Sequence, residues 1–491
     1  MSQLTVSSCR PRLRPAQGLL VPLGPGPLVL AAVLMSCNAP PVSAQGRPLT
    51  RWEETARGLL RELVEHNTTQ SAGDMTAAAQ AMARHLRAAG IPDSDVVVIA
   101  SGDPKKGNLI VRLRGSNPAL KPILLLSHHD VVEARPEDWT LPPFEFIERD
   151  GTFYGRGVAD DKDEGAIHLA VLLRMKAEGY VPGRDLIVAL TTDEEGGPHN
   201  GVDWLLQNRR DLIDAEFALN EGGGGRVGTD GRRISNDIQA SEKKFQNFTL
   251  EATNPGGHSS VPLKDNAITQ LSEALVKVGA FDFPVRLNEV TRAYFERSAP
   301  VAGQAMGDAM RRLVADPADT AAARILSRQP RYNSQLRTTC VATMLEGGHA
   351  SNALPQRARA NVNCRILPDE EPEAVQRTLE LVLANPKVTV TPVGRARNSP
   401  PSPLTPVLMR EIERVTNELW PGTPVIPTMS TGATDGLYLR NAGIPVYGVS
   451  GLFYGESNAH GMNERIPARG FYEGLEFMYR LVRALTGPGI S

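Results

Sequence analysis

From Arg51 to about Gly225 the chain switches between two hydrophobic rhythms. In MTAAAQAMARHLRAAG and GAIHLAVLLRMKAEG apolar residues return every three or four positions, which predicts helices with a buried face. Between such stretches lie short β-rich runs, DVVVIA, NLIVRLRG, PILLLSHHD, DLIVALTTDEE and EFALNEGG, bounded by glycine, proline and acidic residues. Helices and strands in alternation predict an α/β domain whose helices cover a largely parallel sheet buried on both faces.

The glycine-rich break EGGGGRVGTDGRR precedes a change of style. FQNFTLEAT alternates apolar and polar residues, as a strand with one wet face does. A long helical region follows, then RTTCVATMLEGG and RARANVNCRILP on either side of Asn352, a helix at PEAVQRTLELVLA and a strand at KVTVTPVG. This pattern predicts an inserted α+β domain, closed by the loop RNSPPSPLT. Beyond that loop Thr405 and Pro406 open a helix, GIPVYGVSG reads as a buried strand, and FYEGLEFMYRLVRAL ends the chain as an amphipathic helix. The expected organisation is a catalytic domain from residues 45–240 and 398–491, interrupted by residues 241–397.

The N-terminus adds an address. Arg10, Arg12 and Arg14 precede an apolar tract from Leu19 to Met35, and VSAQ places Val42 and Ala44 where a signal peptidase cuts, so residues 1–44 read as a secretory signal and the product as periplasmic or secreted. Pro22, Gly24, Pro25, Gly26 and Pro27 interrupt the tract and argue against a stable membrane span. The alternative is a lipoprotein anchor at Cys37 in LMSC. Signal removal leaves only Cys340 and Cys364, too few for a cysteine-rich zinc site. A hairpin centred on Asn352 would bring them face to face for oxidation in an exported protein; two reduced buried thiols are the other reading. With 41% hydrophobic residues and a formal charge of -2, the composition is that of a soluble globular protein with no basic excess for nucleic acid.

Chemistry gathers where the strands end, which is where ligands bind open α/β sheets. His128 and Asp130 follow ILLLS, Asp193, Glu194 and Glu195 follow LIVALTT, Glu221 follows EFALN, and His460 lies in HGMNE. Asp160 sits in YGRGVADDKDEG, just before a helix. Each alone is ordinary, since acidic residues commonly open helices and loop histidines are usually solvated. Together on one rim they would strand buried charge unless cations sat among them. Imidazole plus carboxylate without thiolate suits zinc, with cobalt or manganese as alternatives. Five ligands exceed the three of one catalytic zinc and fit two metals sharing a carboxylate.

The motifs SHHDVV, YGRGVADDKD, TTDEEGG, NEGG, GGHSS, NALPQ with NCRILP, GATDG and HGMNE occur in the order found in the M20 family of metallopeptidases, and the chain resembles its carboxypeptidase S and N-acyl-amino-acid hydrolase branch. The resemblance implies a zinc-exopeptidase-like catalytic domain carrying a ferredoxin-like lid. It implies two zinc ions bridged by Asp160, one completed by His128 and Glu221 and the other by Glu195 and His460. Asp130 would orient the His128 imidazole, and Glu194 would be the general base. The peptide between Asp160 and Asp161 would be cis. From the lid, His258 would reach the oxyanion, and Asn352 and Arg365 would hold the substrate, Arg365 through a free carboxylate; a strand-edge salt bridge is the plain alternative for Arg365. In members with smaller lids the lid is also the surface of a homodimer; the extra helical length here leaves open whether a homodimer forms or one chain delivers its own His258.

The function so implied is hydrolysis of an amide bond next to a free carboxylate, releasing amino acids from peptides or N-acyl amino acids. The rivals are deacylation of non-peptide amides and a non-catalytic metal- or peptide-binding module, which has no need of Glu194. Gly432 and Asp435 in GATDG depart from the family wording and receive no role. His129 is expected to point away from the rim, and His66, His85, His168 and His199 are read as packing or surface residues. Ser450 lacks the G-x-S-x-G context of a serine nucleophile.

Overall fold

The first helical rhythm becomes α1 (Arg51–Glu65), opened by a capping box in which Thr50 and Glu53 satisfy each other's amides, and α2 (Met75–Ala88), capped by the Asp74 side chain. These begin the computed structural model, which describes residues 47–487; the signal at residues 1–44 and the alternative at Cys37 lie outside the described residues. Strands β1 (Val96–Ala100), β2 (Gly107–Leu113), β3 (Ile123–His128), β4 (Leu186–Thr191), β5 (Phe217–Asn220), β6 (Gly224–Val227) and β7 (Arg233–Glu242) follow, with α3 (Lys162–Ala177) and α4 (Gly201–Asn208) between them.

The chain then builds a second sheet from β8 (Lys244–Thr253), β9 (Thr339–Gly347), β10 (Arg357–Ile366) and β11 (Val388–Val393), and returns with β12 (Val425–Ser430), β13 (Val446–Gly448) and β14 (Phe453–Tyr454). The large sheet has ten strands in the order β1-β2-β4-β3-β5-β13-β7-β6-β14, with β12 on β7. Its middle, β4-β3-β5-β13, is parallel, but β1–β2, β2–β4, β13–β7 and β6–β7 are antiparallel. The sheet is therefore mixed around a parallel middle, with β12–β7 and β14–β6 also parallel; β1–β2 and β6–β7 are antiparallel because short turns join them and no helix crosses over.

Alternation within β3 explains its continuous apolar run. Ile123 and Leu125 join the core beneath α1, α2 and α3, while Leu124 and Leu126 join a separate core with Val202 and Leu205 of α4 on the opposite face. Each such fully buried side chain contributes roughly 1.5–3 kcal/mol. The strand cannot turn either face to water, so polarity is confined to its end.

In the second sheet β8 alternates buried and exposed positions, and Phe248, Leu250 and Ala252 pack with Val362, Leu271 and Leu379 into a core of their own. Only Lys243 separates β7 from β8. It is buried, donates to the Arg337 carbonyl at 2.7 Å, and burial lowers its pKa to about 7. Cys340 and Cys364 are opposite one another on β9 and β10 and form a disulfide, which decides between the two readings of these cysteines. The helices between Glu289 and Leu336 bury Tyr294, Phe295, Met310 and Leu313 in one cluster with Ile426 of β12, so they cover the large sheet rather than the small one. Among the described residues no helix is long and apolar enough to cross a membrane.

Candidate metal centre

Three parallel strands deliver the first residues. His128 is the last residue of β3, Glu194 and Glu195 follow β4, and Glu221 follows β5. Asp160 comes from the turn before α3, where the Asp160–Asp161 peptide is cis, as the resemblance implied. His460 comes from the far end of the chain, in a loop between β14 and Arg465–Pro467, with φ of 62°.

Asp160 stands between the two imidazoles. Its Oδ1 is 3.1 Å from His128 Nε2, and its Oδ2 is 3.1 Å from His460 Nε2. His460 Nε2 also lies 2.9 Å from Glu195 Oε1. Donor atoms of His128, Asp160 and Glu195 lie within 4.8 Å of one another, and so do those of His128, Glu194 and Glu221. The structure thus brings together every candidate metal-ligating residue and Glu194.

Electrostatics make this a site for cations. Burial, followed by neighbouring carboxylates, raises Glu194 and Glu221 well above the usual carboxylate range. Burial alone would lower the His128 pKa, but Asp160, Glu194, Glu221 and Asp130 together hold it well above its ordinary value. Hydrogen bonds to Asp160 and Glu195 lift His460 to about 10. Ionised together, these groups would crowd like charge into one buried site. Divalent cations relieve the same crowding, and the donors are imidazole nitrogen and carboxylate oxygen with no sulfur, so the residues fit such ions.

The support around the centre differs in one respect from expectation. Asp130 holds His128 by its backbone carbonyl, 3.0 Å from Nδ1, while its carboxylate oxygen is 3.7 Å away. That carboxylate instead accepts the amides of Glu194 at 3.2 Å and Glu195 at 3.1 Å. Asp130 therefore positions the imidazole with its main chain and the two glutamates with its side chain.

Other supports carried no sequence signal. Lys106 pairs with Asp193 at 2.7 Å, both side chains buried, ahead of the two glutamates. Asp161 accepts the His128 amide at 3.2 Å. Glu464 accepts Arg156 at 2.6 Å and the amides of Gly157 and Ala159, joining the Asp160 turn to the His460 loop. Arg156 also reaches the Gly461 carbonyl at 3.2 Å, beside His460. His129 points away as expected, its Nε2 3.0 Å from the Gly107 carbonyl, and burial lowers its pKa to about 3.

The second-sheet candidates stand apart. His258 is exposed in a two-residue strand paired with Ala353–Leu354, and its Nδ1 accepts the Ser260 amide at 3.1 Å. Asn352 lies in the adjoining turn, its carbonyl accepting the Ser259 amide at 3.0 Å. Arg365 is half-buried over the Phe245 ring at 4.9 Å and forms no ion pair among the described residues, and burial lowers its pKa. None of the three touches the metal-ligating group among the described residues.

A family model described as peptidase family M20/M25/M40 matches residues 124–484. The N-fatty-acyl-amino acid synthase/hydrolase PM20D1 of Homo sapiens is 27% identical over 395 residues, 76% of this chain and 75% of that protein. Aminoacylase-1 of Pongo abelii is 26% identical over 439 residues, 87% of this chain and 94% of that protein. An M20 family metallo-carboxypeptidase of Sulfolobus solfataricus shares the fold, with a TM-score of 0.63 at 19% identity over 89% of this chain and 99% of that one.

Proposed function

The chain belongs to peptidase family M20/M25/M40, and from that membership we propose that it is an exported hydrolase holding two zinc ions that cuts an amide bond next to a free carboxylate. Its substrates would be peptides or N-acyl amino acids, and its product a free amino acid. The observation that carries this reading is Asp160 between His128 and His460, with Glu194, Glu195 and Glu221 around them.

His128, Asp160 and Glu221 would hold one ion, and Asp160, Glu195 and His460 the other. Bound there, the ions would neutralise the carboxylates, polarise the substrate carbonyl and lower the pKa of water. Glu194 would take the proton of that water and return it to the leaving nitrogen; its buried, acid-rich surroundings raise its basicity for this task. Arg365, over the Phe245 ring and without an ion pair among the described residues, would clamp the free carboxylate of the substrate. Asn352 would bind beside it and His258 would face the oxyanion, once the second sheet closes over the centre.

In this reading residues 45–240 and 398–491 form the catalytic domain and the second sheet within residues 241–397 the lid, while the helices from Glu289 to Leu336 in that insertion pack on the large sheet; residues 1–44 are removed on export. A homodimer would pair lids along β9, an edge strand that exposes Val341, Met344 and Leu345. The names of the relatives support N-acyl amino acids over long peptides as substrates. Deacylation of non-peptide amides is the second reading, favoured by the match along nearly all of aminoacylase-1.

The test is a screen of N-acyl amino acids and dipeptides with zinc-loaded and chelated protein, measuring released amino acid. Glu194→Ala is expected to keep its metal and lose about 10²–10⁴-fold in kcat. A fully active Glu194→Ala protein would remove that residue from its role.

A further inference from the structure

The loop from Ser430 to Asp435, between β12 and the short helix Gly436–Asn441, belongs to neither the metal ligands nor the substrate candidates, yet it is tied to both halves of the molecule. Asp435 is 3% exposed. Its Oδ1 accepts Asn200 Nδ2 at 2.6 Å, and its Oδ2 accepts the Thr191 hydroxyl at 3.3 Å. Thr191 ends β4, two residues before Asp193.

Asn200 is a three-way junction. The same Nδ2 that meets Asp435 lies 3.2 Å from the Asp193 carbonyl, and its Oδ1 caps α4 by accepting the Asp203 amide at 3.0 Å. An amide so committed has no free rotamer: turning it to serve one partner breaks the others. Asp193 itself sits at φ of 58°, a conformation costly for a residue with a Cβ, and persists only where its surroundings fix it. The fixing groups include Lys106 and the His199 amide on its carboxylate and Asn200 on its carbonyl. Asp435 aims Asn200, Asn200 holds the Asp193 carbonyl, and the next residue is Glu194.

The other end of the loop reaches the junction of the two sheets. Thr434 donates its amide at 3.2 Å and its hydroxyl at 3.0 Å to Glu242, the last residue of β7 before the crossing to β8. Glu242 is fully buried and paired with Arg440 at 3.1 Å. One six-residue loop thus touches the strand that carries the second sheet and the turn that carries the general base.

We infer that Asp435 is a positioning residue for Glu194, acting through Asn200 and Thr191. This rests on the role of Glu194 proposed above. Asp435 contacts no substrate atom in this scheme; it sets where the Glu194 carboxylate stands relative to the metal ligands. Groups that orient others around a metal centre typically matter by about 10- to 100-fold. The loss falls on kcat, because the base acts on the proton in flight and not on bound substrate.

The experiment compares wild type, Glu194→Gln, Asp435→Asn and Asp435→Glu in the zinc-loaded full-length protein, measuring kcat, KM and metal per chain. Asp435→Asn keeps the size but offers one acceptor where two donors converge. The expected result is a kcat lower by about 10- to 100-fold with KM and metal content within about twofold of wild type, and a partial return of kcat in Asp435→Glu. Wild-type kcat in Asp435→Asn overturns the inference, and so does a kcat loss matched by lost metal or no return in Asp435→Glu. An active wild type with an active Glu194→Gln instead overturns the underlying role of Glu194, so the two failures are told apart.

Discussion

Removing the Cys340–Cys364 bond gives the sharpest test of how the second sheet is held. The two residues face each other on β9 and β10 with a sequence separation of 24. In the chain-entropy treatment, cross-linking a loop of about 25 residues restricts the unfolded chain by roughly 3.5 kcal/mol at 25 °C. Replacing both with alanine also removes two sulfur atoms, of which that of Cys364 lies in the small-sheet core. The double variant is therefore expected to lose about 3.5 kcal/mol of local stability, equivalent to opening the β9–β10 pair roughly 400-fold more often. Amide hydrogen exchange resolved along Thr339–Ile366 reads that number directly, and wild type treated with a thiol reductant should match the variant. Arg365 adjoins Cys364, so KM should rise while metal content stays constant. Exchange rates within about threefold of wild type across β9 and β10 would refute the reasoning, because the pairing would then owe its stability to the sheet alone.

Metal binding should depend on pH with a definite sign. The apo His460 pKa is raised to about 10 by Asp160 and Glu195, so that group stabilises the apo fold fully below about 6.5 and loses its contribution as pH rises through 10. A metal ion held by His460 must displace this proton, so affinity should climb between pH 6 and 9, and calorimetry in two buffers of different ionisation heat should find at least one proton released per chain on metal binding. Lys106→Met leaves the buried Asp193 carboxylate without its cation and is expected to cost about 3–5 kcal/mol in denaturant unfolding; a loss under about 1 kcal/mol would show that the Asp193 turn is held by its other bonds. Arg365→Ala should raise KM for substrates bearing a free carboxylate by about 10-fold or more and leave their amidated analogues unaffected.

The candidate centre was legible because burial on both faces of β3, β4 and β5 pushes polar residues to the strand ends, so position in the chain encodes position in space. Asp160 and His460 could be added by their residue types and loop contexts. What the sequence hid were pairings made by approach between distant segments. Nothing in DPKKGN marks Lys106 as the partner of Asp193, and nothing in GATDG reveals that Asp435 meets Asn200. Asp130 was placed in the right neighbourhood with the wrong atom, since a residue name does not say whether carbonyl or carboxylate faces a ring. The helices from Glu289 to Leu336 displayed their apolar faces plainly, but periodicity does not tell which sheet such a face will cover.

His460 meets Glu195 across 265 residues of chain, and Arg156 meets Glu464 across 308. A polypeptide emerging from the ribosome can build β1 to β5 and still lack the second imidazole and the carboxylate that braces the Asp160 turn, which arrive near the end of synthesis. Such ordering gives the enzyme intrinsic latency: truncated products lacking the final segment should be inert hydrolytically, however well their earlier strands assemble.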